Sequence, residues 1–580
     1  MSSPFFGLDI GSSALRSAQQ LLNTAAHNVA NANTAGYTRQ RVSLVAAPPY
    51  TYPAFNRSGL PGQIGTGVNV AAITRIRDNF LDLQVQTQTG LQAEWDTRQA
   101  ELSKVETVFP EPSDSGLGNT LSKFWDSWQD IASDPTSTAA RTALTEQAQA
   151  LATDINRDST QLGIIRSGIN AQVTDKVQSI NDLATQIAAL NGQIQRVQVT
   201  GDSPNDLLDQ REQLLEQLSQ IVPTQVLTRA DGSTSVLLGG TDLVNNIYTR
   251  KLTAPTNAQG DVAPVWADGT AFTPPSGAMK ALLDVRDKDL TNYRTSLDSL
   301  AQGIADATNA LHQRGVDALG NAGQALFSYQ ASAPAGTLGV NPAIAADPRL
   351  LAVSAAPNTP GDGSVAGMIA DLRNAKSYAA GNAATNIVGA SDLTTNGTAR
   401  LMTIAAGAAT PQTWTFSSSG PGSLTLTGAD GATQTISVAD MAAGTTGVLN
   451  FDQLGISLTI SSPTSVKAAA DLITDLTAPA KNTVVTASLF NPPQTASDYY
   501  AGLVGRVGSA SAQSKEMGAN QQIVVNQLQQ RVQQTSGVSL DEEATDMVRF
   551  QHAYQAAARV ITTMDEMLNT LINNTGLVGR

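Results

Sequence analysis

The stretch SLDEEATDMVRFQHAYQAAARVITTMDEMLNTLINN, residues 539–574, decides how this chain is read. Met547, Tyr554, Ile561 and Leu568 recur every seven residues, and so do Phe550, Ala557, Met564 and Leu571. Two such series make the apolar seam of a helix that winds around a partner. Ser539 stands at the capping position, and Asp541, Glu542 and Glu543 fill the first turn, where carboxylates complement free backbone N–H groups. Gly537 in front and Asn573, Asn574 and Gly576 behind mark the ends. Because a lone helix in water is held mostly by what its apolar face covers, this seam needs a cover.

The other end of the chain supplies a candidate. Leu8, Leu15, Leu22 and Val29 share the seven-residue period, with Ala18, Ala25 and Ala32 set between them. Small residues there let a second helix come close. Asn28, Asn31, Asn33 and Thr34 with Gly36 then mark a helix end and a turn. The two seams predict a paired coil joining the chain ends, in either direction. Val548 and Val560 lie beside the second seam, so a two-helix pair leaves apolar surface over. Periodicity alone leaves two readings open: an ordinary intramolecular bundle, or a coil through which copies assemble.

At 580 residues the chain exceeds the ~250–300 residues at which single cores stop growing, which implies several domains. A net charge of −14 with no basic block argues against a dedicated nucleic-acid binder. The absence of cysteine rules out disulfides and thiolate zinc sites. The N-terminus lacks the basic flank and continuous apolar core of a cleavable signal peptide. No run approaches the ~18–20 apolar residues of a membrane span. On these grounds alone the chain reads as cytoplasmic, and export would have to use a route that leaves no such peptide.

Between the ends, helical patterns run from about Ile73 to Val108, from Leu121 to Ile131, and from Arg141 to Gln220, broken at Gly201–Pro204. Val173, Ile180, Ile187 and Ile194 form another seven-spaced line, and Asn205 or Ser203 is the expected cap of the segment that follows. Asp231 and Gly232 predict a hairpin turn, and a long helix is expected from about Ala278 to Gly315. From about Ala331 to Ala480 the composition shifts to Ala, Gly, Thr and Ser. There Trp414/Phe416, Leu424/Leu426 and Ile436/Val438 alternate as half-buried strands do, with Asp430 and Gly431 as a turn and a further strand at Leu454–Ile460. A last long helix is expected from Asp498 to Gln534. The fold class is thus a mainly α multidomain chain with long terminal coiled-coil helices, a helical body with small β elements and an inserted β-rich domain. The expected boundaries are 1–40 with 537–580 for the terminal coil, 41–345 with 481–536 for the body, and 346–480 for the insert.

Nothing in the chain points to catalysis or a cofactor. Gly62, Gly65 and Gly67 lack the lysine and spacing of a phosphate loop. His27, His312 and His552 have no metal-ligand spacing, and adjacent Asp541, Glu542 and Glu543 face different ways, without the spaced oxygens and glycine of a calcium loop. No nucleophile elbow, dinucleotide fingerprint or zinc-protease helix is present.

The segments SSALRSAQQLLNTAAHNVANANTAGYTRQRV (12–42) and GVSLDEEATDMVRFQHAYQAAARVITTMDEMLNTLINN (537–574) resemble the two ends of the axial proteins of the bacterial flagellum. Ala35 replaces a usual proline of that pattern and Val29 a common isoleucine. The inner segments NDLLDQREQLLEQLSQ (205–220), GGTDLV (239–244) and LDSLAQGIADATNALHQRGVDALGNAGQALF (297–327) narrow the resemblance to the first hook-associated protein family, found between hook and filament. That resemblance implies a non-enzymatic adapter, secreted to the extracellular flagellum, whose paired terminal helices line the inner part of a ring of copies. The implied partners are the hook protein on one side, a second hook-associated protein on the filament side, and an export chaperone for the C-terminal helix. The unsatisfied apolar faces of the two ends further predict that they stay largely unfolded in the free monomer. The implied assembly residues are Leu8, Leu15, Leu22, Val29, Met547, Phe550, Tyr554, Ala557, Ile561, Met564, Leu568 and Leu571. The competing readings are the hook or another axial protein, which the helical block from Arg141 to Gln220 argues against, and a surface-binding role for the polar insert.

Overall fold

Long amphipathic segments dominate the computed structural model, which describes residues 6–49, 65–229, 231–379, 400–405, 412–442, 445–451, 454, 456–462, 468–477, 483–488 and 494–574. The principal helices are Phe6–Asn31, Asn79–Glu106, Leu117–Ser133, Thr138–Val199, Asn205–Ile221, Leu290–His312, Ala496–Ser536 and Leu540–Asn574. The chain forms two compact units. One comprises residues 1–99, 170–283 and 514–580, the other residues 100–169 and 284–513.

In the first unit, Val173, Ile180, Ile187 and Ile194 are fully buried, as their spacing predicts. A four-stranded antiparallel sheet follows in sequential order: Gln225–Thr228, Thr234–Leu238, Thr241–Asn245 and Tyr248–Thr249. Its first turn needs the left-handed backbone of Gly232, at φ +74°, whose N–H donates to the Arg229 carbonyl. Asp231 braces that turn by accepting from the N–H and hydroxyl of Ser233.

Two local readings change. Helix was expected from about Ile73, but Val68–Arg75 is a strand, paired antiparallel with Gln40–Ala46 so that Val42 faces Ile73. Helix begins only at Asn79, where Asp78 Oδ1 accepts from the N–H groups of Phe80 (3.0 Å) and Leu81 (3.3 Å). A cap three residues downstream of a β-branched run wins over the run's apolar period. Neither Asn205 nor Ser203 caps the helix Asn205–Ile221, whose N-cap is Pro204 with no side-chain bond. The Asn205 amide instead donates to the Ile73 carbonyl and to Gln40 Oε1.

The second unit is built on Phe124, Trp125, Trp128, Ile131 and Phe327, all buried. The helix expected from Ala278 is interrupted by a π-turn at Val285–Asp289, where Leu290 N–H reaches back to the Val285 carbonyl. The bulge leaves the Arg286 carbonyl to accept from Arg166 Nη1 at 3.1 Å and Thr291 Oγ1 at 3.2 Å. The β-rich insert holds one sheet in the order Ser377–Ala379, Thr483–Ser488, Thr413–Gly420, Ser423–Gly428, Thr433–Ser437. A second sheet runs Arg400–Ala405, Ile456–Ser462, Thr445–Phe451, so the strand expected at Leu454 starts two residues later. Trp414, Phe416, Leu424, Leu426, Leu449, Phe451, Leu472 and Leu476 form its core, and the alternation seen in the sequence is the inward face of the sheet.

His312 of the second unit is completely buried. Its Nε2 accepts from Ala352 N–H at 2.9 Å, and its Nδ1–H donates to the Gln324 carbonyl at 2.5 Å. Burial pushes its pKa down to about 4, against the pull of the Gln324 carbonyl. The unfolded chain therefore takes up a proton that the folded chain refuses. The stability this withholds is present above pH ~6.5 and is lost as pH falls toward ~4, about 3 kcal/mol at most. Asp158, raised to about 6 by burial, acts in the opposite sense. The His312 contribution is isolated by urea unfolding of wild type and His312→Gln: the stability advantage of wild type should shrink steadily between pH 6.5 and pH 4.

Candidate assembly interface

The two terminal helices lie antiparallel within one chain. A Cβ on Gly7 would sit 2.6 Å from Met564 Cε, one on Gly11 would sit 2.8 Å from Ile561 Cγ1, and Asn28 meets Glu543 at the other end. Gly11, Ala18 and Ala25, themselves seven apart, are buried on the line that starts at the Ile561 contact, and Ser17, Thr24 and Asn28 of the same helix are buried too. Leu8, Leu15 and Leu22 flank it and are half-buried, while Val29 is 38% exposed. On the C-terminal helix Ala557 is buried, and Met547, Phe550, Tyr554, Ile561, Met564 and Leu568 are half-buried. Leu571 lies outside the residues whose side chains are described. Bulk thus comes from one helix and smallness from the other, which is how two backbones approach closely.

Below this seam sits a polar cluster. Asn28 is 1% exposed and all four of its hydrogen-bonding positions are used. Its Nδ2 donates to the Gln40 carbonyl (2.9 Å) and Glu543 Oε2 (3.1 Å), and its Oδ1 accepts from Gln40 N–H (3.0 Å) and Tyr37 Oη (2.7 Å). Glu543, 3% exposed, also accepts from Arg39 Nε at 2.6 Å, while Arg39 Nη1 donates to Glu542 at 2.7 Å. Burial opposes the charge on Arg39, but Glu543 and Glu542 outweigh it and hold the guanidinium above its usual range. Arg39 N–H further donates to the Ser536 carbonyl.

The turn after the N-terminal helix is tied to the helix Asn205–Ile221 as well. Thr38 N–H donates to Asp209 Oδ2 (2.9 Å), Arg75 Nη1 donates to Asp209 Oδ1 (2.7 Å), and Gln40 Nε2 donates to Asp206 Oδ1 (2.8 Å). Gly36, at φ +78°, lets the chain reverse into this contact. The C-terminal acidic residues, read from sequence as first-turn electrostatics, are therefore also two anchors for Arg39. Asn28, read as part of a helix end, forms the hub together with Tyr37, Arg39 and Gln40, to which sequence reasoning gave no role. The available signal was the density of Asn, Tyr, Arg and Gln within one short turn, since polar groups so close to an apolar seam must find partners.

Among its exposed positions the C-terminal helix keeps several large apolar side chains uncovered. Leu540, Val548, Val560, Met567 and Ile572 of the C-terminal helix are 53%, 55%, 44%, 58% and 68% exposed. A cleft of about 530 Å³ opens beside the hub, lined by Leu21, Ala25, Val42, Leu44, Ile76 and Phe550 among others. Among the described residues no group of three His, Asp or Glu side chains is placed to hold a metal ion, and no helix is long and apolar enough to cross a membrane.

Comparison with known proteins follows the same division. Residues 8–38 match the family described as flagella basal body rod protein, and residues 529–574 match the flagellar basal body rod FlgEFG protein C-terminal. Residues 102–327 match the flagellar hook-associated protein FlgK helical domain. The chain is 30% identical to flagellar hook-associated protein 1 of Bacillus subtilis, covering 100% of both. To the protein of that name from Escherichia coli it is also 30% identical, over 97% of this chain and 98% of the other. A solved structure of the flagellar hook junction protein from Burkholderia pseudomallei aligns with TM-score 0.49 and 22% identity, over 79% of this chain and 100% of that one.

Two substitutions test the seam and the hub separately. Asn28→Leu keeps the volume but strands Gln40, Tyr37 and Glu543, at about 1–3 kcal/mol for each buried group left unpaired. It should sharply raise amide hydrogen exchange in residues 540–550. Gly11→Val overpacks against Ile561, costs about 1–3 kcal/mol, and should raise exchange over residues 557–568 while leaving the hub protected.

Proposed function

This chain belongs to the flagellar hook-associated protein 1 family, and we propose that the outer surface of its terminal helix pair is where copies of it join one another and their neighbours. It is a structural adapter subunit of the bacterial flagellum at the junction between hook and filament, and not an enzyme. In this reading the copies form a ring, with hook protein on one side and a second hook-associated protein on the filament side. The site of action is extracellular, reached by secretion without a cleaved signal peptide, with an export chaperone covering the C-terminal helix on the way.

The observation that carries the assembly reading is that Leu540, Val548, Val560, Met567 and Ile572 remain exposed on a helix whose seam is already occupied by the N-terminal helix. At roughly 25 cal/mol per Å² of apolar area removed from water, a few hundred Å² covered by a neighbour contribute several kcal/mol. The seam alone supplies less, because glycine and alanine bury little area. This difference favours completion of the helix pair within the assembled layer, with folding and association coupled. An adapter layer also has a physical rationale. Two polymers of different packing geometry share a boundary with least strain when one ring of subunits presents a distinct surface to each.

Deleting Leu540–Arg580 should leave the helical and β-rich regions folded by circular dichroism and abolish incorporation onto isolated hooks. A finer test is Val548→Glu with Met567→Glu. Both side chains are exposed, so the unfolding midpoint of the monomer should move little while incorporation falls at least tenfold. Normal incorporation of either protein overturns the assembly reading.

A further inference from the structure

The hydrogen bonds around His27 fix which ring nitrogen carries a proton when the ring is neutral. Asn28 Oδ1 is fixed as an acceptor, because Asn28 Nδ2 donates to the Gln40 carbonyl and Glu543 while Gln40 N–H points at the oxygen. Tyr37 Oη, 2.7 Å from that oxygen, must donate to it. Burial, and then the carboxylates of Asp206, Asp209 and Glu543, hold the phenol well above its usual range, so its proton stays on. Tyr37 therefore has only lone pairs to offer His27 Nδ1 at 3.1 Å, and the ring must carry its proton there. A neutral ring then turns the bare lone pair of Nε2 toward Asp206 Oδ2 at 3.7 Å, acceptor against acceptor. Tyr37 and a neutral His27 supply the protons of the two hydrogen bonds, while the part-exposed His27–Asp206 pair, longer than a hydrogen bond, has no proton between its members.

We propose that His27 is a proton-operated latch, in which protonation at Nε2 ties the end of the N-terminal helix to the Asp206 carboxylate on the helix Asn205–Ile221. The proton adds an ion pair between Nε2–H and Asp206 to the two hydrogen bonds already made, Nδ1–H to Tyr37 and Tyr37 to Asn28. The other charged groups around the ring are already engaged. Asp209 takes Thr38 N–H and Arg75, Glu543 takes Arg39 and Asn28, and Arg39 is shared between Glu542 and Glu543. Asp206 holds Gln40 Nε2 through Oδ1, which keeps its other oxygen toward the ring. Helix ends reinforce the sign: a cation near the C-terminal end of Phe6–Asn31 and an anion in the first turn of Asn205–Ile221 both complement the backbone dipoles. Histidine side chains in general change charge within the pH range in which proteins work. The contact lies within one chain and does not depend on the assembly reading.

With only three histidines in the chain, ring ¹⁵N labelling resolves His27 by comparison with a His27→Gln control. At about pH 8 the ring should be the Nδ1–H tautomer. Lowering the pH to about 6 should raise hydrogen-exchange protection of residues 24–31, corrected for intrinsic rates, roughly two- to fivefold, the range for a partly exposed ion pair. His27→Gln and Asp206→Asn should both lose that gain, with helix content by circular dichroism unchanged. An Nε2–H tautomer at pH 8, or an equal gain in both variants, overturns the latch. If Asp206→Asn loses helix content, the tautomer measured in the unsubstituted chain still decides the question.

Discussion

Everything at the chain ends depends on the buried contact among Asn28, Glu543 and Arg39, which joins residues more than five hundred positions apart. Such a contact is costly to make by halves. A carboxylate at 3% exposure is tolerable because a guanidinium and an amide both donate to it. The amide is satisfied only because the chain turns back at Gly36 to bring Tyr37 and Gln40 against it. The cluster therefore specifies one register of the two helices, where a purely apolar seam could slide by a heptad at modest cost.

Energetically the two halves of the site differ. The seam places Gly7, Gly11, Ala18 and Ala25 beneath Met564, Ile561 and their neighbours, giving close backbone approach with little buried area on the N-terminal side. The hub provides geometry more than net energy, since each paired buried polar group gains only about 1 kcal/mol over its hydrated state. A helix pair built this way is positioned well and stabilised weakly. That balance suits an element meant to gain its remaining cover from other molecules, and it leaves the helix end near His27 open to adjustment by a single proton.

The sheet and helix bodies show a different economy. The insert closes Trp414, Phe416, Leu424 and Leu426 into its own core, and the second unit buries Trp125, Trp128 and Phe124 completely. Aromatic and branched side chains there remove much surface from water to hold the elements, and buried Arg141 adds bonds to the Pro135 and Leu351 carbonyls. His312 and Asp158 show the cost of placing ionisable groups in such cores: each is displaced toward its neutral form.

By itself the sequence determined whatever depends on local periodicity: the two terminal helices, the seven-spaced lines through Val173 and Met547, the inward face of the insert and the Asp231–Gly232 turn. Repeats of seven and two survive any tertiary arrangement, because they follow from helix and strand geometry. Tertiary structure alone decided that the helices run antiparallel and that the small residues, not the leucines, occupy the buried line of the first helix. It also decided that Val68–Arg75 is a strand and that Asn28 and Glu543 are one site. Those outcomes turn on pairings between distant residues, where a buried donor takes whichever acceptor the fold brings to it, and no local pattern encodes that choice.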